Sequence, residues 1–203
     1  MTRAIWIGGD VLEPIGNMII EIGGGTSEIA VIALGGIVCD KSIRVAGDDF
    51  TNDIVDYMRR QHNLLIGERS AERIKIEVGS ALPELDNPPD DYAIQGRDLM
   101  TGTPKEIKVS YVEIAHALDK SITKIEAAIL NALEMTPPEL SADIYRTGLY
   151  LAGGGSLLRG LDKRISLKTK LPVHVAEDPL RAVARGTGIA LKNSAKLPFL
   201  IRN

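Results

Sequence analysis

The chain has 203 residues, 44% of them hydrophobic and 25% charged, with a formal net charge of −3. That balance excludes a disordered chain, and the dispersed Lys and Arg argue against a nucleic-acid scaffold. Cys39 is the one cysteine, so no intrachain disulfide forms and an intracellular setting is expected. No stretch approaches the roughly 20 apolar residues that a membrane span requires, and the opening MTRAIWI reads as ordinary packing, Trp6 included, without an export signal.

In chain order, apolar runs predict three strands, at residues 18–22, 29–33 and 37–45, joined by short glycine-containing turns into a meander. Gly47-Asp48-Asp49-Phe50 opens a helix in which Phe50, Ile54, Tyr57 and Met58 keep helical spacing, with acidic residues where the helix dipole favours them. A second helix is predicted over 70–82, with Ile74 and Val78 on one face. PELDNPP, residues 83–89, then breaks regular structure. Two weaker strands, 92–94 and 107–109, complete a small subdomain inserted in the main one.

From Ser110 a long helix is expected, lined on one face by Val112, Ala115, Leu118, Ile122, Ile125, Ile129 and Leu133; it stops at Thr136-Pro137-Pro138, and a short new helix follows. The remainder alternates: a strand at 149–151, a helix over about 157–168, a strand at 173–175, and a helix after Asp178-Pro179, with Asp178 as N-cap.

Two glycine-rich turns carry the functional signal. Gly23-Gly24-Gly25-Thr26 follows the first strand, and Gly153-Gly154-Gly155-Ser156 follows the strand at 149–151. Glycine after a strand lets backbone approach a ligand closely, and its N–H groups can cradle phosphate or ribose oxygens. Each feature also has an ordinary reading. The first turn alone is a tight hairpin, the second a strand-to-helix turn with Ser156 as N-cap, and Glu72, Arg73 and Lys75 a solvated helix face. His62, His116 and His174 are too far apart in sequence to suggest a metal site.

Residues 17–192 resemble the second lobe of the MreB family of bacterial actin homologues. The matching stretches include NMIIEIGGGTSEIAVIALGGIV, SIRVAGDDF, LIGERSAERIKIEVGSA, MTPPELSADI, LAGGGSLLRGLD and VAEDPLRAVARGTG. The resemblance implies an α/β, actin-like ATPase (RNase H-like) fold, one lobe with a small inserted α+β subdomain. It divides the chain into an atypical segment 1–16, a lobe core at 17–47 and 110–180, an insertion at about 48–109, a C-terminal helix at about 178–192 and a tail at 193–203.

By the same resemblance, Gly24, Gly25 and Thr26 form the second phosphate loop, Glu72, Arg73, Ile74 and Lys75 the helix flanking the nucleoside, and Gly154, Gly155, Ser156 and Leu157 the adenosine motif. Thr26 would position a water or a phosphate oxygen. Glu72 would accept from ribose hydroxyls, and Lys75 would approach nucleotide oxygens or the base. Glu21 stands where the family has Asp and would act on Mg²⁺ through water. The cofactors implied are ATP and Mg²⁺.

The first phosphate loop and the water-orienting glutamate of the family belong to the first lobe and precede this chain's start, so weak ATP binding and impaired hydrolysis are expected. The implied function is ATP-dependent filament formation organising cell-wall synthesis and rod shape in the cytoplasm. Partners would be further copies of itself or full-length MreB-like filaments, together with a membrane adaptor, through which it would meet the membrane, and cell-wall elongation proteins. The alternatives are an ATPase or chaperone of the wider actin, sugar-kinase and DnaK superfamily, or a nucleotide-free module that binds filaments or their adaptor.

Overall fold

Side chains alternate along a strand. In β1 (Asn17–Ile22) this buries Met18, Ile20 and Ile22 completely on one face, while Ile19 and Glu21 point to the other. The computed structural model describes residues 15–34, 36–182 and 184–185. β1 is the middle of a five-stranded sheet of order β3-β2-β1-β7-β8, with β2 at Ser27–Ala33, β3 at Gly36–Ile43, β7 at Leu149–Ala152 and β8 at Val173–Val175. The meander β1-β2-β3 is antiparallel; β7 joins β1 in parallel, and β8 joins β7 in parallel. This bears out the actin-like α/β reading.

Between β3 and the long helix lie α1 (Gly47–His62), β4 (Leu64–Leu65), α2 (Glu68–Val78), β5 (Tyr92–Asp98) and β6 (Pro104–Val109). The three strands form an antiparallel sheet of order β4-β5-β6. β4 was not expected, since two residues carry no periodicity. It pairs with the far end of β5, which extends four residues past the expected 92–94. α2 stops at Val78, short of the predicted 82, because Gly79 turns off the helix and Ser80 bridges to Arg159.

The long helix α3 (Tyr111–Glu134) begins at a reciprocal cap. Ser110 Oγ accepts from the Glu113 N–H at 3.3 Å, and the Glu113 carboxylate accepts from the Ser110 N–H at 3.0 Å. Leu118, Ile122, Ile125 and Ile129 of its apolar stripe are fully buried against the sheet and α1, while Val112 and Leu133 at the ends of the stripe are half-buried. α4 (Pro138–Thr147) starts with proline at its first position, as the PP pair predicts. The expected helix over 157–168 is instead a 3-10 turn, Gly154–Leu157, followed by α5 (Leu161–Thr169). Gly160, at φ +72°, takes the left-handed conformation that separates them.

α5 is fastened to α3 by a half-buried cation. Arg164 Nε donates to Glu126 at 2.7 Å, and a second guanidinium nitrogen reaches Asp119 at 2.8 Å. After β8, Pro179–Arg181 form a 3-10 turn. The rest of the predicted C-terminal helix, from residue 186, lies outside the described residues, as does the segment 1–14. Among the described residues, no helix is long and apolar enough to cross a membrane.

Candidate functional site

Because β1 and β7 are parallel neighbours, with Glu21 opposite Ala152, both glycine turns leave the sheet at the same edge. Ligands in open α/β sheets bind at such carboxyl ends of parallel strands. The first turn is closed by the Gly23 N–H donating to the Thr26 carbonyl at 2.9 Å, and the N-terminus of α1 docks on it. The Gly47 N–H donates to the Gly23 carbonyl at 3.0 Å and the Asp48 N–H to the Gly24 carbonyl at 2.8 Å. Gly24 and Gly25 remain exposed, with the Asp48 carboxylate alongside.

The second turn is pressed onto the end of β1. Gly153 has φ +82°, and a Cβ there would lie 2.3 Å from the Ile22 carbonyl oxygen; a Cβ on Gly155 would lie 2.2 Å from Ile22 Cγ2. Ser156 is buried, and its hydroxyl donates to the Gly153 carbonyl at 2.7 Å, stapling the turn.

Between the turns lies a cavity of about 540 Å³, within the size range of small-molecule sites. Gly23, Gly24, Gly47 and Asp48 form one side of its lining, and Glu72 and Lys75 of α2 add a charged pair. Gly154, Gly155, Leu157, Leu158 and Leu180 form another side, with Ile76 and Phe50. Ile76, Leu157 and Leu180 are 60%, 55% and 70% exposed, an apolar cluster open to a ligand. The site thus offers exposed glycine backbone and a lysine at one wall and bare apolar surface at another.

Lys75 Nζ reaches Glu72 Oε2 at 2.6 Å, the Gly47 carbonyl at 2.9 Å and Thr51 Oγ1 at 3.0 Å. Burial by itself would raise the Glu72 carboxyl, but hydrogen bonds from Lys75 and Thr51, with the Lys75 charge, hold it below the usual carboxylate range. Glu72 is therefore ionised at neutral pH.

Six of the residues singled out from sequence meet in this cavity: Gly24, Glu72, Lys75, Gly154, Gly155 and Leu157. Gly25 and Thr26 stand exposed on the first turn beside it. Arg73 and Ile74 do not line it. Successive helix residues turn by about 100°, so when Glu72 and Lys75 face the cavity, Arg73 faces solvent and Ile74 is fully buried in the core. Ser156 spends its hydroxyl inside the turn. Glu21 faces the other side of the sheet, where it lines a separate cavity of about 290 Å³ with Ile19, Glu28 and Asp40.

Sequence reasoning missed Asp48, Phe50, Ile76, Leu158 and Leu180. Ile76 was within reach, since it lies four residues after Glu72 and shares its helix face; Leu180 was not, because only the fold carries the segment after β8 back to Gly154. Among the described residues, no group of three or more His, Cys, Asp or Glu is placed to hold a metal ion. His62 pairs with Glu113 at 2.9 Å, and His174 lies against the Tyr150 ring.

A family model described as MreB/Mbl protein matches residues 1–198. The chain belongs to the MreB/Mbl family. It is 47% identical over 195 residues to the cell shape-determining protein Mbl of Bacillus subtilis (strain 168), covering 96% of this chain and 58% of that one. To the cell shape-determining protein MreB of Escherichia coli (strain K12) it is 47% identical over 192 residues, 95% of this chain and 55% of that one. The chain thus spans rather more than half the length of these relatives.

Among solved structures, MreB5 of Spiroplasma citri bound to AMPPNP superposes with a TM-score of 0.92 at 40% identity, over 96% of this chain and 58% of that one. A MamK double helical filament shares the fold, with a TM-score of 0.75 at 21% identity over 95% of this chain and 57% of that one. The resemblance read from the glycine turns and LIGERSAERIKIEVGSA is therefore borne out, for the family and for the actin-like fold alike.

Proposed function

We propose that this chain is a nucleotide-binding lobe of a cell shape-determining, filament-forming protein, and that its ligand is ATP held in the cavity between the two glycine turns. The observation that carries the reading is the pairing of walls in that cavity. Exposed glycine backbone, the N-terminus of α1 and Lys75 suit a phosphate chain, and Ile76, Leu157 and Leu180 suit a purine face. MreB5, bound in its own structure to AMPPNP, supports the assignment by family.

Mg²⁺ binds through one or two carboxylates, with phosphates and waters completing its shell. Asp48, beside the exposed Gly24 and Gly25, is a carboxylate of the cavity wall that suits a cation carried in with the phosphates. Glu21, which faces the other side of the sheet and lines a separate cavity, is not placed to act on a cation beside Asp48. Bound there, Mg²⁺ would neutralise phosphate charge. Lys75 would share that task, and Glu72, ionised at neutral pH, would accept from ribose hydroxyls.

Family membership supports a filament role, in which copies would associate and would meet a membrane adaptor and the cell-wall elongation proteins in the cytoplasm. Titration with Mg-ATP tests the site. Saturable binding is expected, weakened by about tenfold or more in Lys75→Ala, which removes the positive charge from the phosphate side of the cavity; no saturable binding by the native chain would sink the reading. Sedimentation with and without ATP tests assembly, and a pellet indifferent to nucleotide would count against it.

A further inference from the structure

Behind the cavity wall, the hydroxyl of Thr51 sits at the centre of a hydrogen-bond cluster. Thr51 is 8% exposed and lies one turn into α1 from Gly47. Its Oγ1 accepts from Lys75 Nζ at 3.0 Å, and its own proton is offered to the Glu72 carboxylate at 2.8 Å or to the Gly47 carbonyl at 3.1 Å. An ammonium has three protons, and Lys75 has three acceptors: Gly47 O at 2.9 Å, Thr51 Oγ1 and Glu72 Oε2 at 2.6 Å. Gly47 in turn donates its N–H to Gly23 at 3.0 Å. A continuous run of bonds thus joins α2, through Thr51, to the first glycine turn.

We propose that Thr51 is a positioning residue that holds Lys75 and Glu72 of α2 in register with the N-terminus of α1, so that the charged pair meets the nucleotide already placed. The inference deepens the nucleotide reading and rests on it for the identity of the ligand. A lysine side chain gives up considerable rotamer freedom when fixed. A tie formed before the ligand arrives removes that cost from binding. Thr51 suits the task because branching at Cβ restricts its χ1 and because one hydroxyl both accepts and donates. Valine keeps the shape and removes both bonds. Lys75 then lacks one acceptor, and Glu72 lacks one donor.

The test compares the native chain with Thr51→Val and Thr51→Ser. Lysine acylation by N-hydroxysuccinimidyl acetate, read by peptide mass spectrometry, needs no nucleotide. Lys75 should label about three- to tenfold faster in Thr51→Val, the range set by one hydrogen bond, while exposed Lys168 labels as before and Thr51→Ser restores the native rate. Mg-ATP titration should show affinity weakened by about the same factor in Thr51→Val and recovered in Thr51→Ser. Thr51→Ala gives the same readings if valine disturbs α1.

Unchanged Lys75 labelling in a folded hydroxyl-less variant overturns the tie, whether or not ATP binds. Faster labelling with unaltered ATP affinity overturns its service to the nucleotide. If the native chain binds no ATP, the nucleotide reading falls and the labelling alone decides whether Thr51 holds Lys75.

Discussion

The two glycine turns look alike in sequence and are glycine-rich for different reasons. At the first, Gly24 and Gly25 are exposed, and an added Cβ would meet nothing closer than the Asp48 carboxylate at 3.6 Å. At the second, Gly153 has φ +82° and Gly155 abuts Ile22, so side chains there have neither an easy backbone conformation nor room. Glycine at the first turn leaves space for a ligand; at the second it lets two parallel strand ends approach. A glycine run in a sequence therefore does not say whether the space it creates is filled by substrate or by the protein itself.

Four substitutions sharpen that contrast. Gly153→Ala should have the largest effect, about 3 kcal/mol of lost stability, from the left-handed backbone together with overlap on a carbonyl oxygen that cannot rotate away. Gly155→Ala should lose about 2 kcal/mol, because the atom it strikes belongs to the Ile22 side chain, which can adjust in part. Ser156→Ala, which removes the staple to the Gly153 carbonyl, should lose about 1 kcal/mol. Gly24→Ala should change stability by less than about 0.5 kcal/mol while weakening ATP binding. Urea denaturation of each variant gives the order, and a Gly24→Ala chain less stable than Gly153→Ala would invert the comparison.

The smallest expected effect concerns acid. The folded-state carboxyl of Glu72 is lowered, so its contribution to stability is present above the unfolded carboxylate range and lost as pH falls through the folded value. Because the Glu72 side chain is 47% exposed, the contribution is small. Glu72→Gln should flatten the acid limb of the stability profile slightly and leave the neutral plateau nearly level. A steeper acid limb in that variant would show that the sign is wrong.

Periodicity in the chain made the meander, α1, α3 and β7 legible, because each buries part of a face and leaves a pattern, whereas β8, with no buried residue, was read from its short apolar run alone. It failed where elements are shorter than their own period or end on a contact made elsewhere. β4 is two residues long and is held by Asp98 and Arg97 of β5. α2 ends where Gly79 meets the Arg159 region, about eighty residues away in sequence. The expectation of one unbroken helix over 157–168 overlooked Gly160, whose left-handed backbone starts α5 afresh.

The site divides the same way. Sequence by itself determined the glycine turns, the charged pair Glu72 and Lys75 at helical spacing, and the family, because these are local patterns of residue type. Only tertiary structure decided which of them share a cavity. Strand alternation turned Glu21 to the opposite face of the sheet, and the helical rotation sent Ile74 into the core. The parallel pairing of β1 with β7 brought turns separated by about 130 residues to one edge, and the return of the chain after β8 set Leu180 against Gly154. Such contacts are fixed by the burial of a common core, in which no local stretch of sequence specifies its partner.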